Sequence, residues 1–186
     1  SKSVRADTGF VCTGKINIGK DELSCWNKDG HGYVDMEKAM AWSCNVYFCH
    51  AGLLTGADKI SEYAILFGLG RKTGIELFGE SNGFVPSKEW KRAEKKEIWY
   101  PGDTANFSIG QGDLLVTPLQ IARMVSSIAN GGALVEPHVL KRTKDADTTD
   151  FKTESLKVAK ENIDTVKRGM RKVIEDPDGT GNRAAS

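Results

Sequence analysis

The tripeptide Ser43-Cys44-Asn45 interrupts a helical pattern, and this interruption constrains the fold around it. Apolar residues at helical spacing lead into it after a candidate N-cap at Asp35, and a second helix is predicted over about Val46 to Leu54. Residues two apart on a continuous helix do not share a face, so Ser43 and Asn45 can face one cleft only if the chain is extended there. An extended segment would send Cys44 to the opposite side. The sequence therefore predicts a junction between two helices.

A Ser-x-Asn pair that faces a cleft has a chemical use. The serine hydroxyl can relay protons, and the asparagine amide can hydrogen-bond the amide of a substrate. The alternative interpretation is that Ser43 simply caps the second helix, which is a common role of serine. A short motif does not by itself decide between these two interpretations.

Helical patterns dominate the rest of the chain. The clearest helix begins at Thr117, where Gln120 completes a capping box, and it stops at Asn130-Gly131-Gly132. The first thirty residues are predicted to be loop and short strand, Ala133–Leu140 to be a strand, and the polar residues 143–161 to be a connection. Further helices are predicted from apolar spacing: one with Ile60, Tyr63, Ala64 and Phe67 on one face, a short one near Ser87–Ala93, and a last one with Ile163, Val166, Met170 and Val173 on one face.

Composition limits the class of protein. A chain of 186 residues is long enough for one domain with a sizeable core. Its hydrophobic content of 39% and charged content of 27% are ordinary for a globular domain. A net charge of +1 produces no bulk field that would attract polyanions, so we expect no nucleic-acid partner. No apolar stretch approaches the length that spans a bilayer.

Cysteines are concentrated in the first fifty residues, together with a histidine. Cys12, Cys25, His31 and Cys44 would make a closed Cys3His set that suits tetrahedral zinc. If the Ser-x-Asn pair faces a cleft, Cys44 faces away from it, and a structural Zn²⁺ would tie the first loop to the back of the junction. The competing interpretations are a Cys12–Cys25 disulfide, which an extracytoplasmic location would favour, and free thiols. The sequence leaves all three open.

Other conspicuous residues are predicted to have structural roles. Cys49 lies on the second predicted helix and is expected to be a small buried apolar residue. The tryptophans are expected to serve mostly core or subdomain packing: Trp26, Trp42, Trp90 and Trp99.

Several separated stretches occur in the order found in one protein family. Through them the chain resembles the transpeptidase domain of the elongation-type (rod-shape) class B penicillin-binding proteins over nearly its whole length. The matching stretches are Phe10–Gly14, Cys25-Trp26, Gly30–Gly32, Ser43–Phe48, Thr73–Leu77, Trp99, Pro101–Thr104, Ile109–Gly112, Thr117–Gln120 and Ala129–Gly131.

The resemblance implies an α+β, mostly helical fold, which the penicillin-binding proteins share with serine β-lactamases. In that family a serine attacks the terminal D-Ala-D-Ala of a peptidoglycan stem peptide, an amine of a neighbouring stem resolves the acyl-enzyme, and β-lactams acylate the same serine. Ser43 and Asn45 would be the catalytic Ser-x-Asn pair. The resemblance also implies a membrane-anchored protein at the extracytoplasmic (periplasmic) face of the inner membrane, with rod-complex and glycan-polymerising proteins as partners.

The nucleophile motif of this family, Ser-x-x-Lys, occurs nowhere in the chain. The resemblance places it before residue 1 and places Lys-Thr-Gly beyond residue 186, so we expect residues 1–186 to be part of a transpeptidase domain that is inactive alone. The internal Lys72-Thr73-Gly74 stands where the family has a Thr-Gly turn, and it is predicted to be a turn entering a short strand. Two alternatives are a zinc-stabilised binding or scaffold module without chemistry and a β-lactamase-like hydrolase.

Overall fold

A computed structural model describes residues 4–139 and 152–184, and this part of the chain is mostly helical. Within it, no helix combines the length and apolar character that crossing a membrane requires. The helices are α1 (Met36–Ala41), α2 (Asn45–Thr55), α3 (Ala57–Leu66), α4 (Lys88–Trp90), α5 (Pro101–Ser108), α6 (Pro118–Ala129) and α7 (Lys160–Glu175). A π-helical turn (Lys91–Lys95) follows α4, and a short 3-10 helix (Asn182–Ala184) follows α7.

The strands form antiparallel pairs and no large sheet among the described residues. They are β1 (Phe10–Cys12), β2 (Lys15–Ile18), β3 (Asp21–Ser24), β4 (Gly32–Val34), β5 (Ala133–Val135) and β6 (Thr153–Ser155). Strand β1 pairs with β4, β2 with β3, and β5 with β6. Because β1, β2 and β3 all contact α2, the N-terminal strands form one side of the core around that helix.

Helix α2 is the centre of the core. Val46, Tyr47 and Cys49 on this helix are all buried, and the Cys49 Sγ lies 3.8 Å from the Ala105 carbonyl oxygen of α5. The prediction that Cys49 is a small buried residue is confirmed. A Cβ added at Gly52 would lie 2.3 Å from the Ser108 Cβ, so only a glycine allows α2 and α5 to approach this closely.

Helix α1 packs against α7 through small residues and ion pairs. Glu37 accepts hydrogen bonds from Arg168 at 2.9 Å and from Lys172 at 2.7 Å. A Cβ added at Gly169 would meet the Met40 Sδ at 2.5 Å, so α7 lies directly on α1. These contacts hold α1, and with it the junction at Ser43, against α7.

The helix ends follow the predicted capping chemistry. The Asp35 carboxylate accepts the Lys38 N–H at 2.9 Å and begins α1. At α6 the Thr117 hydroxyl accepts the Gln120 N–H at 3.2 Å, and the Gln120 side chain accepts the Thr117 N–H at 3.0 Å. The predicted capping box is confirmed.

Two predictions about the remaining segments need correction. The strand predicted over Ala133–Leu140 is only β5, Ala133–Val135, and Leu140 lies outside the described residues. The predicted connection over residues 143–161 contains β6 and the start of α7, while its residues 143–151 also lie outside the described part. Strand β6 was missed because its exposed, polar side chains carry no alternating apolar pattern.

Lys72-Thr73-Gly74 lies in an irregular loop. The Thr73 backbone N–H and hydroxyl both donate to the Glu80 carboxylate, at 2.8 and 2.6 Å, and Gly74 has a φ of +91°. The short strand predicted to follow is wrong, because the next pairing along the described chain is the single bridge between Phe84 and Leu115. The buried Thr73 thus closes a loop.

Candidate functional site

Strand pairing assembles a cluster of cysteines and a histidine. The β1–β4 register places Cys12 opposite Gly32, which brings the neighbouring His31 to the end of β1. The Cys25 N–H donates to the Gly14 carbonyl at 2.7 Å, which folds the end of the β2–β3 hairpin back onto the same point. The His31 Nδ1 consequently lies 3.5 Å from the Sγ atoms of both Cys12 and Cys25.

Cys44 completes the cluster from the helix junction. The four ligand atoms of Cys12, Cys25, His31 and Cys44 all lie within 4.8 Å of one another. All three cysteines are buried and, like Cys49, are free thiols in the structure. The disulfide considered from the sequence is therefore not formed in this structure, although Cys12 and Cys25 both lie against the histidine.

This arrangement fits a tetrahedral metal ion. Around Zn²⁺ with bonds of about 2.3 Å to sulfur and about 2.0 Å to nitrogen, neighbouring ligand atoms lie about 3.5–3.8 Å apart. The two Sγ–Nδ1 distances of 3.5 Å match this separation. A set of three thiols and one imidazole is also the ligand chemistry of closed structural zinc sites.

The protonation of the cluster depends on its burial. Burial lowers the pKa of His31, which keeps the imidazole neutral and able to bind a metal. Burial raises the pKa of Cys44 to about 12, so this thiol keeps its proton at neutral pH, and a metal ion would have to displace that proton to bind. Burial also opposes ionisation of Cys12, but hydrogen bonds from the backbones of Gly14 and His31 outweigh it and lower the Cys12 pKa.

The junction has the geometry predicted from the sequence. At the end of α1 the Cys44 N–H donates to the Ala39 carbonyl at 2.9 Å and the Ser43 N–H to the Met40 carbonyl at 3.2 Å, which is a Schellman motif. Ser43 occupies the left-handed position of this motif with a φ of +52°, where glycine is usual. Cys44 is then extended and Asn45 begins α2.

Ser43 and Asn45 consequently line one open cleft of about 610 Å³, while Cys44 is fully buried in the cysteine–histidine cluster on the other side. The Ser43 hydroxyl has no hydrogen-bond partner among the described residues. The Asn45 Nδ2 donates to the Ser24 carbonyl at 3.2 Å, which orients the amide. The cleft therefore presents one unengaged hydroxyl beside one oriented amide.

Trp26 connects the cluster to the cleft. It directly follows Cys25, its ring meets the His31 ring edge to face at 5.3 Å, and it also lines the cleft. Its Nε1–H donates to the carbonyl of Trp42, the residue before Ser43, at 2.8 Å. Trp26 is 59% exposed, so it is not a core tryptophan and packs instead at the rim of the cleft.

The far end of the chain supplies two cleft residues that sequence reasoning missed. Thr180 and Arg183 line the cleft together with Ser43 and Asn45. The Thr180 N–H donates to the Ala41 carbonyl at 2.9 Å, which attaches this segment to the end of α1. No local pattern could reveal this contact, because it joins residues 139 positions apart.

Comparison with known proteins agrees with this architecture. The family model of the penicillin binding protein transpeptidase domain matches residues 2–186. The chain belongs to this family. The predicted family and the α+β, mostly helical fold are confirmed.

Individual members of the penicillin-binding protein family are similar to the chain over different lengths. The peptidoglycan D,D-transpeptidase MrdA of Acinetobacter baumannii is 44% identical over 121 residues, which is 65% of this chain and 18% of that protein. MrdA of Haemophilus influenzae is 36% identical over 166 residues, 86% of this chain and 25% of that protein. Among solved structures, the chain is similar to the complex between penicillin-binding protein (PBP2) and MreC from Helicobacter pylori, with a TM-score of 0.88 and 32% sequence identity. The match covers 97% of this chain and 33% of the matched chain in that complex.

The chain thus spans about a quarter or less of the length of these curated transpeptidases. The comparisons establish the family and the fold of the described residues. The roles of Ser43, Asn45 and the cysteine–histidine cluster are proposals argued from the geometry.

Proposed function

We propose that this chain is part of a peptidoglycan D,D-transpeptidase and that Ser43 and Asn45 belong to its catalytic cleft. The observation that carries the proposal is the junction, which turns these two side chains into one cleft and turns Cys44 away from it. Such a division of side chains requires an interrupted helix, and the structure interrupts it with a glycine-like conformation at a serine.

In this proposal the nucleophile and its lysine come from a Ser-x-x-Lys motif outside residues 1–186. The Ser43 hydroxyl relays a proton during acyl transfer, and the Asn45 amide hydrogen-bonds the substrate's peptide bond. The substrate is a stem peptide that ends in D-Ala-D-Ala, and β-lactams acylate the complete domain. Residues 1–186 alone perform no covalent chemistry, because the chain contains no Ser-x-x-Lys.

We infer the cellular setting from the same family. The complete protein is a membrane-anchored enzyme that works on the periplasmic face of the inner membrane. The Helicobacter pylori relative was solved in a complex with MreC, which supports a rod-complex partner for this protein. A glycan-polymerising protein is the second proposed partner.

A fluorescent penicillin tests the catalytic proposal. The isolated chain should not be labelled, and the complete protein should be. Ser43→Ala and Asn45→Ala in the complete protein should slow acylation by about 10²–10⁴-fold, the usual effect of losing proton transfer or a preorganised donor. The matched controls are Ser155→Ala and Asn17→Ala, which remove exposed side chains elsewhere. Labelling of the isolated chain, or normal acylation of both cleft variants, would contradict the proposal.

We further propose that Cys12, Cys25, His31 and Cys44 hold one structural Zn²⁺. The fit of the two Sγ–Nδ1 distances to tetrahedral geometry supports it. A bound Zn²⁺ would supply a redox-inert cross-link between the N-terminal strands and the helix junction. The four residues would then hold the back of the junction, while the cleft residues on its other side meet the substrate.

Native mass spectrometry of the chain, prepared without chelator or reductant, tests the metal. The expected mass is one zinc ion heavier than the polypeptide, and Cys44→Ser should lose this increment. Cys49→Ser is the matched control, because Cys49 is equally buried but lies outside the cluster, and it should keep the metal. A metal-free mass that is lighter by two hydrogens would instead show a disulfide and would refute the zinc site.

A further inference from the structure

The C-terminal turn, which comprises residues 176–184, places a cation in the cleft. Arg183 lines the cleft with Trp26, Ser43, Asn45 and Thr180. Within the part of the chain that the structure describes, none of these cleft-lining residues is acidic. The cleft therefore carries one positive charge that no carboxylate in its own wall neutralises.

This turn is firmly attached to the helices beneath it. The Gly181 N–H donates to the Val173 carbonyl of α7 at 2.9 Å, and the Asn182 Nδ2 donates to the Ile174 carbonyl at 3.1 Å. The Thr180 N–H bonds the carbonyl of Ala41, the last residue of α1. A Cβ added at Gly179 would lie 2.5 Å from the Val173 carbonyl oxygen, so the turn packs directly on α7.

The guanidinium of Arg183 itself has no ion pair or hydrogen bond with any described residue. Five other described arginines donate to a carboxylate or a carbonyl oxygen, whereas Arg92, which is exposed outside the cleft, shares the unpaired state of Arg183; the five are Arg5, Arg71, Arg123, Arg168 and Arg171. A rigid turn that carries an unengaged guanidinium to the Ser-x-Asn pair is the arrangement of a binding group. A planar guanidinium binds a carboxylate through two parallel hydrogen bonds.

We propose that Arg183 binds a carboxylate of the peptide substrate and selects anionic over neutral ligands in this cleft. This inference rests on the proposed transpeptidase function. Arg183 supplies charge recognition, which leaves the Asn45 amide for the peptide bond and the Ser43 hydroxyl for proton transfer. The carboxylate is either the C-terminus of the peptide or an acidic side chain, and both share the same chemistry.

The experiment uses the complete protein and three penicillin probes that differ only in charge. They are a penicillin with its ring carboxylate free, the methyl ester of that penicillin, and the ester with a carboxylate added to its side chain. The ring carboxylate stands in for the peptide C-terminus, and the added group for an acidic side chain. The second-order rate constant of acylation is measured for the wild type, Arg183→Gln and Arg183→Lys.

We expect the wild type to prefer one carboxylate-bearing probe over the neutral ester by about 10–100-fold, as a hydrogen-bonded charge pair provides. Arg183→Gln should abolish this preference, and a Tm and circular dichroism spectrum that match the wild type would show that the variant is folded. Arg183→Lys should keep part of the preference, because lysine retains the positive charge but lacks the planar guanidinium that donates two parallel hydrogen bonds. The preferred probe identifies which carboxylate is bound.

Arg92→Gln is the matched control, because Arg92 is an exposed arginine on the π-helical turn outside the cleft. It should retain the full preference. If Arg183→Gln keeps the preference of the wild type, the carboxylate assignment is overturned and the transpeptidase function stands. If the wild type is acylated by none of the probes, the transpeptidase function and the role of Arg183 are both refuted.

Discussion

Replacing Ser43 by glycine should stabilise the fold while it removes a proposed catalytic group. Ser43 has a φ of +52° at the left-handed position of the Schellman motif that ends α1. A residue with a Cβ is strained in this conformation, whereas glycine is not. The serine hydroxyl offsets none of this strain through hydrogen bonds to other described residues.

The size of the effect follows from two opposing terms. Relief of the left-handed strain contributes about 1–2 kcal/mol, and the greater freedom of glycine in the unfolded chain takes back about 0.4–1 kcal/mol. The net gain is about 0.5–1 kcal/mol, which raises the Tm of a chain of this size by about 1–4 °C. Ser43→Ala removes the same hydroxyl but keeps the strain, so it should change stability by less than about 0.5 kcal/mol.

Thermal and urea unfolding of the isolated chain, followed by circular dichroism, would measure both variants. Lys96→Gly and Lys96→Ala form a matched pair, because Lys96 also has a left-handed φ, +58°, and its side-chain amine donates a hydrogen bond to the Ala93 carbonyl. The glycine variant should exceed the alanine variant at both positions. If Ser43→Gly is no more stable than Ser43→Ala while the Lys96 pair behaves as expected, the junction does not store the strain inferred from its backbone.

Three further perturbations probe the scaffold behind the cleft. Gly52→Ala should lower the free energy of unfolding by about 1–3 kcal/mol through overpacking, since the new Cβ would lie 2.3 Å from the Ser108 Cβ. Gly102→Ala is the control and should be tolerated, because the nearest atom to its new Cβ lies at 3.6 Å. Equal Tm values for the two variants would contradict this. Hydrogen bonds from Lys172 and Arg168 of α7 lower the pKa of Glu37, so Glu37→Gln should lower the free energy of unfolding by about 1 kcal/mol above about pH 5. This loss should shrink at lower pH, where the wild-type carboxylate becomes protonated. A loss of stability that does not depend on pH would refute the coupling. Thr117→Ala should cost about 1 kcal/mol of unfolding free energy by removing the α6 cap, and an unchanged urea midpoint would argue against that capping box.

Features that depend on neighbouring residues were accessible from the sequence. The caps at Asp35 and Thr117 act on backbone groups within one helical turn, so residue order alone predicts them. The junction at Ser43-Cys44-Asn45 followed from helical periodicity, and so did the opposite orientation of Cys44. The cysteine–histidine set could be proposed because only four cysteines and three histidines occur in the chain.

The short segments α5 and β6 could not be predicted from local sequence. Helix α5 begins with Pro101 at its first turn and with Asp103 accepting the Tyr100 N–H, which are helix-start signals, but the Pro-Gly pair resembles a turn. The pairing of β6 with β5 depends on hydrogen bonds to a distant partner, and its own side chains carry no periodic signal.

The sequence by itself therefore determined the interrupted helix and its caps, since each depends on contacts within a few positions, and it supplied the cysteine and histidine candidates of the cluster. Only the tertiary structure decided that the β1–β4 register brings His31 to Cys12, and that Thr180 and Arg183 reach the cleft from the far end of the chain. The placement of Thr180 and Arg183 depends on how α7 packs against α1. Contacts between residues more than a hundred positions apart leave no periodic trace in a single sequence, because they are selected by the burial and charge pairing of whole helices.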